Sequence, residues 1–153
     1  MQVRRRARML ALQTLYEVDL ANHTAGQVLQ RHFENSTLPS EGQRFASQLV
    51  SGVVKNEMQL DELIVRYAPE WPLDQMAAID RNILRIAIFE FVLDGETPVK
   101  VAINEAVELA KLFGSESSAR FVNGVLGSLA SGIGQKGIRK RRGEQQSGNT
   151  RER

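Results

Sequence analysis

The stretch from Leu73 to Leu93 constrains this chain most: Ile83, Leu84, Ile86, Ala87, Ile88, Phe89, Phe91 and Val92 crowd together and leave hardly a polar side. A helix that is apolar all round has to be surrounded, so the rest of the chain must supply amphipathic partners to wrap it. The sequence does so. Ala7, Leu10, Ala11, Thr14, Leu15 and Val18 fall at i, i+3, i+4, i+7, i+8 and i+11, one stripe of a helix spanning about 4 to 21. Val99, Ala102, Ile103, Ala106, Ala110 and Phe113 repeat the pattern after Thr97-Pro98, as do Phe121, Val122, Val125, Leu126 and Leu129 near the end. Sustained period-two alternation between hairpin turns is missing, and the class is all-α with seven helices.

Boundaries come from local chemistry. Thr24 with Gln27 and Ser40 with Gln43 have the spacing of capping boxes. Gly52 and Asn56 mark a weak point between two helices in the run from Glu41 to Tyr67. Pro69 and Pro72 force a break, since each removes a donor and holds its predecessor extended. This divides an N-terminal helical subdomain, 1–70, from a C-terminal one, 71–132. Asp94-Gly95 ends the apolar helix, Thr97 as N-cap with Pro98 at N1 starts the next, Gly114 fits its C′ position, and Ser115 or Ser117 caps the last. Beyond Gly132 polar and basic residues replace apolar ones, so 133–153 reads as a basic tail, with 134–153 expected to be disordered.

Charge is segregated. Net charge is +2, yet residues 1–8 carry +4 and 133–153 carry +5, so residues 9–132 carry minus seven. Basic ends on an acidic body suit a localised phosphate contact and leave the body to bind something else. Arg4, Arg5, Arg6 and Arg8 share the start of the first helix, where cations oppose the macrodipole by about 0.3 to 1 kcal/mol each. Lacking a local stability rationale, they are RNA-contact candidates, because guanidinium both grips phosphate and stacks on bases. Four such contacts on a single strand predict a log–log salt slope near minus 3, at about 0.7 per contact. Arg120 and Phe121 open the last helix and are candidates for contacting a nucleotide. Gly124 within that helix costs about 1 kcal/mol relative to Ala, which suggests close approach of another backbone. The tail cluster Arg139-Lys140-Arg141-Arg142 fits an auxiliary, sequence-indifferent contact.

Other chemistries find little support. The absence of cysteine removes disulfides and thiolate chemistry. His23 and His32 lack metal-ligand spacing, and GxSxG and GxxxxGK[ST] are missing, so neither a metal, a cofactor nor an enzyme is expected. Asp80, Glu90, Glu105 and Glu108 fit polar outer helix faces, and Trp71 between its prolines reads as a hinge plug. Without an apolar run of about 18 residues or a signal-peptide pattern, the expected location is the cytoplasm, with no membrane partner.

Four blocks in order carry a family resemblance: Arg4-Arg5-Arg6-Ala7-Arg8 with Ala11-Leu12-Gln13-Thr14-Leu15-Tyr16; Asn82-Ile83-Leu84-Arg85-Ile86-Ala87 with Phe89-Glu90; Pro98 to Lys111; and Phe121-Val122-Asn123-Gly124-Val125-Leu126. The chain resembles the NusB transcription antitermination factors over nearly all of 4–131. The resemblance implies two roughly perpendicular helical bundles sharing one core, and binding of boxA-type single-stranded RNA together with NusE, a ribosomal small-subunit protein, within the transcribing RNA polymerase complex on ribosomal RNA operons. It implies RNA contacts at Arg4, Arg5, Arg6, Arg8 and Phe121, and a NusE-facing surface at Tyr16, Asp80, Arg85 and Glu90. Where the family's familiar members have an acid before the last helix, Ser117 stands here, which should strengthen RNA binding. The alternative is a non-catalytic structural or ribosome-assembly protein, monomer or homodimer, whose dimer masks the RNA-binding face. A ribosomal RNA methyltransferase module is a third reading, weakened because no methyltransferase domain follows.

Overall fold

The computed structural model describes residues 2–133, and the tail cluster Arg139–Arg142 lies outside them. Seven α-helices are present among the described residues: α1 (Val3–Ala21), α2 (Ala25–Glu34), α3 (Ser40–Lys55), α4 (Glu57–Tyr67), α5 (Ala78–Ile88), α6 (Val99–Phe113) and α7 (118–133). They form two bundles. In the first, α1 lies against α2 and α3; in the second, α4 and α6 flank α5. One continuous apolar cluster runs from Ala7 on α1 to Leu129 on α7, because α1 and α3 also reach α5 and so join the bundles through a shared core.

The expected central element is α5, with every residue from Asn82 to Ile88 buried. It is shorter than the apolar run. Leu73–Gln75 forms a 3₁₀ turn of its own after Pro72, and Arg81 Nη1 holds that turn by donating to the Leu73 and Met76 carbonyls at 3.1 and 3.4 Å. At its other end α5 widens into a π turn, Phe89–Leu93, closed by Asp94 N–H donating to Phe89 O at 2.8 Å. Phe89, the first residue of that turn, fills the space above Gly52, whose missing side chain admits the ring against α3. Gly52 is therefore a close-approach point within α3, and the break falls at Asn56, whose side chain donates to the Gly52 carbonyl at 2.8 Å.

Several caps differ from the sequence reading. Thr24 occupies the N-cap of α2, but its hydroxyl bonds no helix N–H. The helix α3 begins at Ser40 itself with extended Pro39 before it, and Gln43 reaches back to the Leu38 carbonyl. Pro98, not Thr97, precedes the first residue of α6, because the Thr97 hydroxyl is engaged by Glu90. Gly114 ends α6 in an extended rather than left-handed conformation, and the space where its side chain would stand belongs to Ser118, whose hydroxyl accepts from Ser115 N–H at 2.9 Å. Gly95 does need its positive φ of 73°, as the Asp94-Gly95 stop requires. Val99, expected on the inner face of α6, is 43% exposed.

Candidate nucleic-acid interface

The first turn of α1 has no acidic residue, and Gln2 provides no side-chain cap. Its four arginines divide into two pairs. Arg8 is buried at 4% exposure and meets Glu90, itself 2% exposed, through two parallel bonds of 2.9 and 2.7 Å. Thr97 Oγ1 donates to the same carboxylate at 2.8 Å. Glu90 is thus an internal anchor, not the outer-face residue its spacing suggested; the π turn carries it inward to Arg8. Arg5 forms a second fork with Glu105 on α6, at 3.1 and 2.7 Å, and Arg8 Nη1 lies 3.6 Å from that carboxylate. The hydrogen bond from Arg5 holds the Glu105 carboxyl below its ordinary range, partly opposed by burial, and the same contact raises Arg5.

The remaining pair is not ion-paired among the described residues. Exposed Arg4 lies over the Phe45 ring with Cζ 4.3 Å from its centroid, within cation–π range, and Arg8 approaches the same ring at 5.1 Å. Arg6 Nη2 donates to Thr37 Oγ1 at 2.9 Å in an exposed position. The macrodipole cost is therefore offset at two arginines by carboxylates from distant sequence and left standing at Arg4 and Arg6. Nothing in the sequence spacing of Phe45 marks it as a seat for guanidinium.

A second cluster gathers at the start of α7. Phe121 is half-buried and meets Trp71 edge to face, with centroids 6.2 Å apart and an interplanar angle of 75°. Trp71 is 53% exposed and is no plug. With Phe121, Arg120, Ser117 and Asp80 it lines a cavity of about 420 Å³, and with Arg120, Phe121 and Gly124 it lines an adjoining groove of about 390 Å³. Among the described residues no backbone approaches Gly124, and a side chain there would meet open space. An aromatic held between two prolines was the available signal for Trp71.

The residues assigned to a protein partner occupy different settings. Arg85 is buried in a network with Asp61 at 2.8 and 3.0 Å, Asp19 at 3.2 Å and Asn82 at 3.1 Å. Burial works against its charge, yet these carboxylates, Asp61 foremost, raise it overall. Tyr16 and Asp80 are half-buried, and no hydrogen bond or ion pair among the described residues joins any two of Tyr16, Asp80, Arg85 and Glu90. His32 pairs with Glu17 at 3.2 Å, and no cluster of three metal-ligating side chains occurs among the described residues. No helix there is long and apolar enough to cross a membrane.

The profile of the NusB family matches residues 5–131. The chain belongs to the NusB family. The transcription antitermination protein NusB of Roseiflexus sp. (strain RS-1) is 51% identical over 131 residues, 84% of this chain and 92% of the relative. NusB of Dehalococcoides mccartyi (strain CBDB1) is 52% identical over 130 residues, 85% of this chain and 91% of the relative. Among solved structures, T. maritima NusB superimposes with a TM-score of 0.78 at 32% identity, covering 84% and 90% of the two chains. A crystal structure of the antitermination factors NusB and NusE in complex with dsRNA gives 0.77 at 25% identity, covering 86% and 98%. As a NusB protein the chain is a non-catalytic, RNA-binding transcription antitermination factor. The NusB match includes Arg5, Arg6, Arg8, Arg120 and Phe121, begins one residue after Arg4, and stops short of the basic tail.

Proposed function

We propose that the chain binds boxA-type single-stranded RNA jointly with the ribosomal protein NusE, in the cytoplasm, and so supports processive transcription of ribosomal RNA operons by the polymerase complex. The observation that carries this reading is the pair of guanidinium groups at exposed Arg4 and half-buried Arg6, without carboxylate partners among the described residues, on the first turn of α1. Arg5, half-tied to Glu105, and Arg120 extend the phosphate-gripping surface, and Phe121 offers a ring to a base. Arg8 supports it from below: its fork with Glu90 fixes the turn that displays the others. The acidic body, with Tyr16 and Asp80 at its surface, suits a basic ribosomal protein. The NusB–NusE–RNA assembly solved for a relative makes that partner the natural one to try.

Capture of NusE by the tagged chain, with and without boxA RNA, tests the reading. RNA should strengthen capture, and Arg4→Ala with Arg6→Ala should remove that gain. Capture indifferent to RNA, together with a homodimer that RNA leaves intact in size-exclusion, would refute it in favour of a structural role.

A further inference from the structure

Glu90, Arg8, Glu105 and Arg5 form an alternating row of charges that leads from the core to the surface. Side-chain exposure rises along it, from 2% at Glu90 and 5% at Arg8 to 14% at Glu105 and 37% at Arg5. Arg8 commits Nε and Nη2 to Glu90 and keeps Nη1 3.6 Å from Glu105 Oε1. Arg5 commits the same two nitrogens to Glu105, at 3.1 and 2.7 Å. Glu105 is thus shared between a buried guanidinium fixed on Glu90 and a part-exposed one at the surface.

The inner pair has a structural reason, since either partner alone would be a buried charge. The outer pair has less of one, because an ion pair that reaches solvent contributes little to stability. Its effect falls on what Arg5 can do. A guanidinium grips phosphate through paired N–H groups along one edge, the same geometry with which it grips a carboxylate. On Arg5 the Nε–Nη2 edge is already taken, and its charge is met at 2.7 Å by one of opposite sign. Arg8 favours the ionised form of Glu105 whether or not Arg5 stays on it, so the carboxylate competes with any anion that approaches. Glu108, one turn along α6, adds a second negative charge acting on Arg5. Arg4 and Arg6, on the same turn of α1, face no such rival among the described residues.

We propose that Glu105 is an internal substitute for RNA phosphate: it occupies the Arg5 guanidinium in the folded chain and holds the affinity for RNA below what the arginine cluster would otherwise reach. This rests on the RNA-binding reading above and adds to it an affinity-limiting residue from the second bundle. The full chain is titrated into a fluorescein-labelled boxA-type RNA at several salt concentrations, with binding read by anisotropy. Glu105→Gln keeps the shape and removes the charge. It should bind about two- to fivefold more tightly and steepen the log–log salt slope by about 0.7, the contribution of one further phosphate contact. Adding Arg5→Ala to Glu105→Gln should abolish both gains. Glu108→Gln removes an equal charge without breaking the fork and should leave the slope as it was. Circular dichroism checks that each variant is folded; if Glu105→Gln is not, Glu105→Asp, which shortens the side chain and weakens the fork, should show a smaller gain of the same sign.

A Glu105→Gln chain that binds no more tightly than its parent overturns the competition and spares the RNA-binding reading. Weaker binding with a flatter slope overturns it in favour of a carboxylate that aims Arg5 at RNA. Gains that survive Arg5→Ala, or that Glu108→Gln reproduces in full, overturn it in favour of the general field of the acidic body. Failure of the parent and of every variant to bind RNA overturns both readings.

Discussion

Arg8 and Arg4 lie one helical turn apart on α1 and serve opposite ends. Arg8 is buried against Glu90 and closes the structure, whereas Arg4 is exposed on the face of Phe45 and leaves its charge available. Arg5 and Arg6 repeat the division, one forked onto Glu105 and the other resting on a threonine hydroxyl. A run of like residues is therefore not a run of like roles. What separates them is whether a carboxylate from the second bundle reaches that side of the helix.

The contrast is broken most severely from the inside. Glu90→Ala leaves the Arg8 charge buried without its partner and should cost about 3 to 5 kcal/mol in denaturant unfolding. Replacing both members by apolar residues, Arg8→Met with Glu90→Leu, should recover most of that, since the pair's own desolvation disappears with it. Next comes Gly52→Ala, which drives a methyl into Phe89 and disturbs the turn holding Glu90. A loss of about 1 to 3 kcal/mol is expected, read as a fall in melting temperature.

On the outside, Arg4→Ala with Arg6→Ala should leave stability within about 0.5 kcal/mol of the parent. It should also flatten the salt dependence of RNA binding by about 1.4 in slope, at 0.7 per lost phosphate contact. A flattening of about 0.7 from Arg8→Met with Glu90→Leu, stability retained, would show that the buried arginine reaches RNA after all. The smallest effect concerns acid. Glu105 is held below its ordinary value near 4.5 in the folded chain, so the Arg5 fork contributes stability above that pH and loses it as pH falls through the lowered value. Glu105→Gln should narrow the difference between neutral and acid stability, measured by urea midpoints across pH 3 to about 7.

Much of the fold could be read from periodicity, because the inner stripes of α1, α6 and α7 and the all-apolar α5 are statements about which sides must be buried. The errors cluster where two distant segments meet. Thr97 has the sequence of an N-cap, but Glu90 competes for its hydroxyl. Gly124 reads as a close approach, whereas the close approach occurs at Gly52 under a ring that sits 37 residues later in the chain. For the candidate site, the cluster of arginines was visible and its division was not, since the ion pairs depend on where α6 and the π turn come to rest. Trp71 was visible only as an aromatic between prolines; its partnership with Phe121 requires the loop before α5 to fold against α7.

The Arg8–Glu90 and Arg5–Glu105 forks span 82 and 100 residues of sequence. On the ribosome the arginines are made first and their carboxylates follow after about 5 to 20 seconds, at ordinary elongation rates of about 5 to 20 residues per second. During that interval all four guanidinium groups face the same crowded surroundings, ribosomal RNA included, with nothing to distinguish them. The π turn then supplies the carboxylate that buries Arg8 and α6 the one that restrains Arg5, so fewer free guanidinium groups are left on the finished chain than midway through synthesis.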